Sequence, residues 1–188
     1  MALGFNEFMV VPPDANTSTA QHTEGQMAYS VDSTSGAVHW HRYYKAVDAV
    51  AIVNGSVLHA ADIGLAQGSA DRNGTNALST TFLGIAQAAM TQNYYGWALR
   101  KGVKSGVVSA SGASHAAGTL LCASTAATGA DGECTDGASQ LDGATSAATL
   151  ETTSLAFWRA HFGITKVAAT GGTCTAIVCP MLELPYIG

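Results

Sequence analysis

The chain has 188 residues, enough to bury a proper core as one domain or as two small β units. Only 11% of them are charged and the net charge is −5, which argues against nucleic acid as the main partner. No apolar run is long enough to span a bilayer, so a membrane is not an expected partner either. A surface this poor in charge suits a protein that neighbours cover in an assembly.

Residues 1–35 read as an extended N-terminal arm: polar, proline-containing and without sustained periodicity. Its apolar anchors are Phe5, Phe8, Met9, Val10 and Val11 in "FNEFMVV". A short segment of this kind cannot offset its own ordering entropy, so these residues need a surface to pack against. That surface is either a neighbouring subunit or the arm's own domain. The arm is expected to order only on assembly. It lacks the basic start of a secretory signal, so export is not expected.

Residues 36–188 read as one β-rich domain. "AVAIVNGSVLHA" is two apolar strands around Asn54-Gly55, the strongest short hairpin signal, and Asn73-Gly74 repeats that turn chemistry. "FLGIA" reads as a strand, although the following "QAAM" favours a helix. Arg100, Lys101 and Lys104 form the one basic cluster, read as the solvated edge of a hairpin. Residues 123–153 are nearly free of large apolar side chains and read as a long glycine-rich surface loop. Strand signals then return, with Gly171-Gly172 closing a hairpin. Leu83-Gly84-Ile85 and Phe162-Gly163-Ile164 echo one another. That echo means either two similar strands of one barrel or two related β units.

Groups able to do chemistry are scarce. His39 and His41 share one face of a strand, but a metal needs a third ligand, and neither His59 nor Asp48 is supplied by the spacing. Asp131, Glu133 and Asp136 lie between glycines without the ligand spacing of a calcium loop. Ser109 and Ser111 stand near His115 but not in a nucleophile-elbow motif, and a triad requires convergence in space. No catalytic, cofactor or metal site is therefore assigned. Of the four cysteines, Cys174 and Cys179 fall on opposite faces of a strand. Cys122 and Cys134 flank a loop that a bridge would close, and either that bridge or buried thiols fit. Trp40, Trp97 and Trp158 sit among apolar neighbours and read as packing residues.

The stretch from Phe82 to Leu121 carries a resemblance. Its order is "LGIA", a small-residue stretch, a polar turn, "YGWALRKG", "GVVSA" and "AAGTLL". This resembles the β-rich head decoration (cement) proteins of tailed bacteriophages, where a "GVA…A" strand, a "YGWV…G" hairpin and an "AAGT.L" strand recur in that order. The resemblance implies an all-β fold, a small β-barrel or β-sandwich of short strands. It also implies a virion structural protein without enzymatic activity. It would be assembled in the host cytoplasm and sit on the outer capsid surface. Its partners would be the major capsid protein and itself, as a trimer or dimer. Phe5, Phe8, Met9, Val10 and Val11 would then be capsid or subunit contacts. The alternative is a β-sandwich adhesion or carbohydrate-binding module presenting Tyr43, Tyr44, Tyr94 and Tyr95, with calcium at Asp131 to Asp136.

Overall fold

The computed structural model describes residues 4–5, 12–47, 49–61, 66–71, 82–110, 114–123, 131–136 and 161–179. The fold is all-β, and among the described residues there is no helix. The strands are β1 (Gly4–Phe5), β2 (Asn16–Thr17), β3 (Met27–Val31), β4 (Val38–Ala46), β5 (Val57–Ala60), β6 (Gln67–Ser69) and β7 (Phe82–Ala86). They continue as β8 (Tyr95–Val108), β9 (Ser114–His115), β10 (Leu120–Ala123), β11 (Cys134–Asp136), β12 (His161–Val167), β13 (Ala169–Thr170) and β14 (Thr173–Val178).

The pairings close two rings that share β8. In the first, β8 pairs with β7, β7 with β5, β5 with β6, β6 in parallel with β4, and β4 with β8 again. In the second, the far half of β8 pairs with β14, β14 with β12, β12 with β10 and β10 with β11. A parallel bridge from Cys134 to Ser109 returns β11 to the end of β8. Closure satisfies backbone groups that an open edge would leave to water or to other chains.

The two rings are copies of one unit. The first uses β4, β5, β6, β7 and the near half of β8; the second uses the far half of β8, β10, β11, β12 and β14, in the same order and senses. Val57 opposite Ile85 and Leu58 opposite Gly84 recur as Leu120 opposite Ile164 and Leu121 opposite Gly163, and the register breaks after each. Gly55 N–H donates to Ala86 O (2.9 Å) and Ala86 N–H to Ser56 O (2.9 Å); Gly118 to Thr165 (2.8 Å) and Thr165 to Thr119 (2.9 Å) repeat this. The bridge Ile52–Met90 recurs as His115–Ala169. The sequence echo thus marks two related β units, one copy in each ring. It extends to "GSVLHA" and "GTLLCA", both opening on a glycine of positive φ (92° and 83°).

Matched positions fill their interiors differently. Tyr44 lies in the first core with Leu58, Leu83 and Ala98, beside Gly68 and Gly96. A Cβ on Gly68 would lie 2.6 Å from Tyr44. In the second ring the corresponding positions are Val107, Cys134 and Cys174, with Leu121, Phe162 and Ala176. A smaller central side chain is offset by larger neighbours, as close packing requires. Between the rings Phe82 stacks on Phe162, with centroids 4.9 Å apart and planes 17° apart. Val57, Ile85 and Leu99 join that same cluster.

Several expectations are corrected. Asn54-Gly55 forms a turn, yet its flanks do not pair with each other: Ile52 bridges Met90 and Val57 faces Ile85, so both flanks run along one partner. "YGWALRKG" is no hairpin; it continues through "GVV" as the 14-residue β8. The boundary near residue 35 falls in the turn of the β3–β4 hairpin, and β2 and β3 belong to the sheet. Phe5 pairs with Ser30 on β3, while Phe8, Met9, Val10 and Val11 lie outside the described residues. Within the expected loop, β11 completes the second ring and buries Cys134 and Thr135. Asn73-Gly74 lies outside the described residues. Gly171 and Gly172, with φ of 71° and 69°, do close the β12–β14 hairpin.

The equivalent glycines Gly84 and Gly163 sit where no side chain fits. A Cβ on Gly163 would lie 2.1 Å from the Ile177 carbonyl oxygen, and one on Gly84 would lie 2.7 Å from Ala98 Cβ. Gly163→Ala is expected to cost about 3 kcal/mol and Gly84→Ala about 1–2 kcal/mol, because a paired backbone carbonyl yields less than a methyl. Urea unfolding of both variants checks the order.

Candidate interaction surface

The β3–β4 hairpin carries the most conspicuous surface. Its turn is set by Asp32, whose Oδ1 accepts the Thr34 and Ser35 N–H groups at 2.8 and 2.9 Å. These bonds hold its carboxyl below the usual range. Across the hairpin Met27 faces Arg42, Tyr29 faces Trp40 and Val31 faces Val38. Directly opposed residues share a face, and the alternate residues point inward. Ala28 packs with Tyr43 and Trp97, and Ser30 Oγ shares a 2.9 Å hydrogen bond with His41 Nε2. The outer face of such a ribbon is ordinarily polar. Here Met27, Tyr29, Val38 and Trp40 are each between 38% and 46% exposed, and the Tyr29 and Trp40 rings lie 5.6 Å apart.

A hollow of about 370 Å³ opens beside this face, lined by Met27, Trp40, Arg100 and Lys101. The register of β4 on β8 slips between Trp40 and His41, which makes Arg100 the extra residue of a bulge. Its guanidinium turns inward: Nη1 donates to Phe82 O (2.6 Å) and Leu83 O (3.0 Å), and the group lies 5.5 Å from the Phe82 ring centroid. The expected solvated basic edge is thus divided. Arg100 ties β8 to β7, Lys101 is exposed, and half-buried Lys104 donates to Asn54 Oδ1 at 2.7 Å. Burial pulls the Lys104 pKa down.

The structure brings some predicted chemical groups together. Ser109 Oγ and His115 Nε2 lie 2.6 Å apart, but both residues are only 2% exposed. Among the described residues Nδ1 of His115 has no hydrogen-bond partner and no acid orients the ring. The bond joins the end of β8 to β9. All four cysteines are free. Cys134 lies opposite Ala123, one residue from Cys122, so the two thiols point to opposite faces and do not meet. The neighbour of Cys134 is Cys174, with sulfurs 3.9 Å apart. Their hydrogen bond, together with burial, holds the Cys134 thiol well above the ordinary cysteine pKa, and the same bond lowers that of Cys174. Burial pushes Cys122 up to about 12. Cys179 is exposed, as its odd offset from Cys174 implies.

The remaining candidates stay apart. His39 and His41 do share a face, with ring centroids 6.5 Å apart, but Ser30 engages His41. Among the described residues no three His, Cys, Asp or Glu side chains gather as a metal site would need, Asp131, Glu133 and Asp136 included. Tyr43, Tyr44 and Trp97 are buried, Tyr95 stacks over Tyr43, and Tyr94 is exposed. Asp48, Ser111 and Trp158 lie outside the described residues. Sequence reasoning missed the Met27–Tyr29–Trp40 face because it assigned β3 to an arm. The alternation in "MAYSV" and "VHWHRYY" was the available signal. No family model matches the chain, and no curated protein or solved structure is significantly similar to it.

Two buried histidines make the fold sensitive to acid. Desolvation pulls His41 down to about 3 and His59 to about 4. As pH falls below the ordinary value of 6.5, the unfolded chain takes up these protons before the folded one. Stability is therefore complete above that value. Below it, up to about 1.4 kcal/mol is lost per pH unit per histidine, until the folded pKa is reached. Urea unfolding between about pH 7 and about pH 5 should show this slope. His59→Gln should flatten it by one proton's share, whatever that variant costs in absolute stability.

Proposed function

We propose that this chain is a head decoration (cement) protein of a tailed bacteriophage. In this reading it binds the outside of the expanded head across seams between major capsid subunits and stabilises the shell against packaged DNA. The observation that carries the proposal is the apolar, aromatic β3–β4 face on a body with few charges. The segment that resembles the decoration family supports it: that segment supplies β7, the shared β8 and β10, the spine of both rings. The role asks for adhesion rather than chemistry. Modest contacts repeated by symmetry, with self-association as dimer or trimer, sum to a large stabilisation of the shell. Phe5 runs beside β3, so Phe8, Met9, Val10 and Val11 follow it in the chain as further contact candidates. Neither nucleic acid nor membrane is a partner in this reading.

The exposed Tyr29–Trp40 pair also favours a carbohydrate-binding module, in which sugars stack on aromatic rings. Cosedimentation with expanded shells and with unexpanded procapsids separates the two. Saturable binding to expanded shells alone is expected, weakened about tenfold or more by Trp40→Glu. Binding to neither shell, with retention on an immobilised glycan, would establish the second reading instead.

A further inference from the structure

The duplication exposes on the second ring a surface that is buried on the first. Val57, Ile85 and Leu99 are opposed across β5, β7 and β8, and His41 continues the row on β4. None of Val57, Ile85 and Leu99 is more than 1% exposed, because Leu121, Phe162 and Val178 of the second ring pack into the same cluster. The matching row of the second ring is Leu120, Ile164 and Ile177 on β10, β12 and β14, continued by Val103 on β8. Here the side chains are apolar again, and nothing in the chain's described residues covers them. Leu120 is 44% and Ile177 37% exposed, with Ile164 and Val103 half-buried. Val167, 58% exposed, extends the face opposite Thr175.

We propose that this row is the interface through which a second copy of the chain binds. The intramolecular precedent points to a β surface of this same chain as the occupant: the first ring's row is covered by strands of the second ring. Because the covering residues Leu121, Phe162 and Val178 are themselves buried, the free row of a second copy is the matching apolar β surface left to meet it. A two-fold contact, row against row, covers both exposed faces at once; a head-to-tail contact would always leave one uncovered. The packing is face-to-face between sheets, with apolar side chains interdigitating and Thr175 as an uncharged neighbour. This names the surface for the self-association included in the decoration reading, but its evidence is separate.

The test is sedimentation equilibrium of the purified full chain over a dilution series, without shells. A reversible dimer is expected. Ile177→Lys and Leu120→Glu, both at exposed positions, should each weaken it by at least about tenfold while leaving the far-ultraviolet spectrum unchanged. Trp40→Glu, on the other face, should leave it intact. A wild-type monomer at every concentration would overturn the inference, as would a dimer indifferent to both row substitutions. In the wild type alone, protection of β12 and β14 amides should rise with protein concentration. The two readings fail separately. A monomer that binds expanded shells would sink only the dimer row, and a dimer that binds none would sink only the cement role.

Discussion

One strand has to serve two rings, and the rest of the fold follows from that. Residues 95–101 of β8 lie against β4, and 98–99 also against β7; residues 102–108 lie against β14, after which Ser109 meets Cys134. No regular strand satisfies all these partners, so β8 must bend between its halves. Gly102 has φ of 138°, and a Cβ there would lie 2.7 Å from the His39 ring; Gly106 has φ of 70°. Both conformations are open to glycine and costly for any other residue. The Arg100 bulge belongs to the same adjustment, since the extra residue lets the register with β4 slip while its guanidinium ties β8 to β7.

Duplication explains why so few strands show an amphipathic pattern. β5 and β7 are buried along their whole length, one face in the first core and the other against the second ring. A strand covered on both sides reads as a continuous apolar run, which periodicity cannot tell from a short helix. That is why "FLGIA" could be assigned as a strand only on its glycine and β-branched residues. The bulge there hides the pattern further: Phe82 and Ile85, three residues apart, join the same cluster.

What was legible was local. Gly171-Gly172 gave a hairpin because both partners of that turn are neighbours in sequence. Asn54-Gly55 gave the turn but not the hairpin, because pairing is decided by which strands can close the ring; the flanks find β7 and Met90. β11 could not be read from "ECTD" at all, since its place is fixed by Ala123 on one side and Ser109 on the other. The aromatic face was legible in principle, as the alternation of β3 and β4 is regular and the Asp32 turn between them is ordinary. Dividing the chain at residue 35 cut through the amphipathic β3–β4 hairpin.

The same economy bears on charge and thiols. When strands are buried on both faces, charged side chains are admitted only where backbone carbonyls receive them, as Phe82 and Leu83 receive Arg100. Histidine is tolerated inside because it can shed its proton, and His41 and His59 do so at the cost of acid tolerance. The cysteines likewise occupy volume: Cys134 and Cys174 stand where the first ring has Gly68 and Gly96 around the bulk of Tyr44. Their closeness is then a result of packing two side chains around Val107, and it requires no redox role to account for it. Val53 and Tyr94 apart, the exposed large apolar residues among those described lie on the outer faces, along β3–β4 and across β10, β12 and β14. In a chain that carries so few charges, those are the surfaces where association with other molecules costs least desolvation.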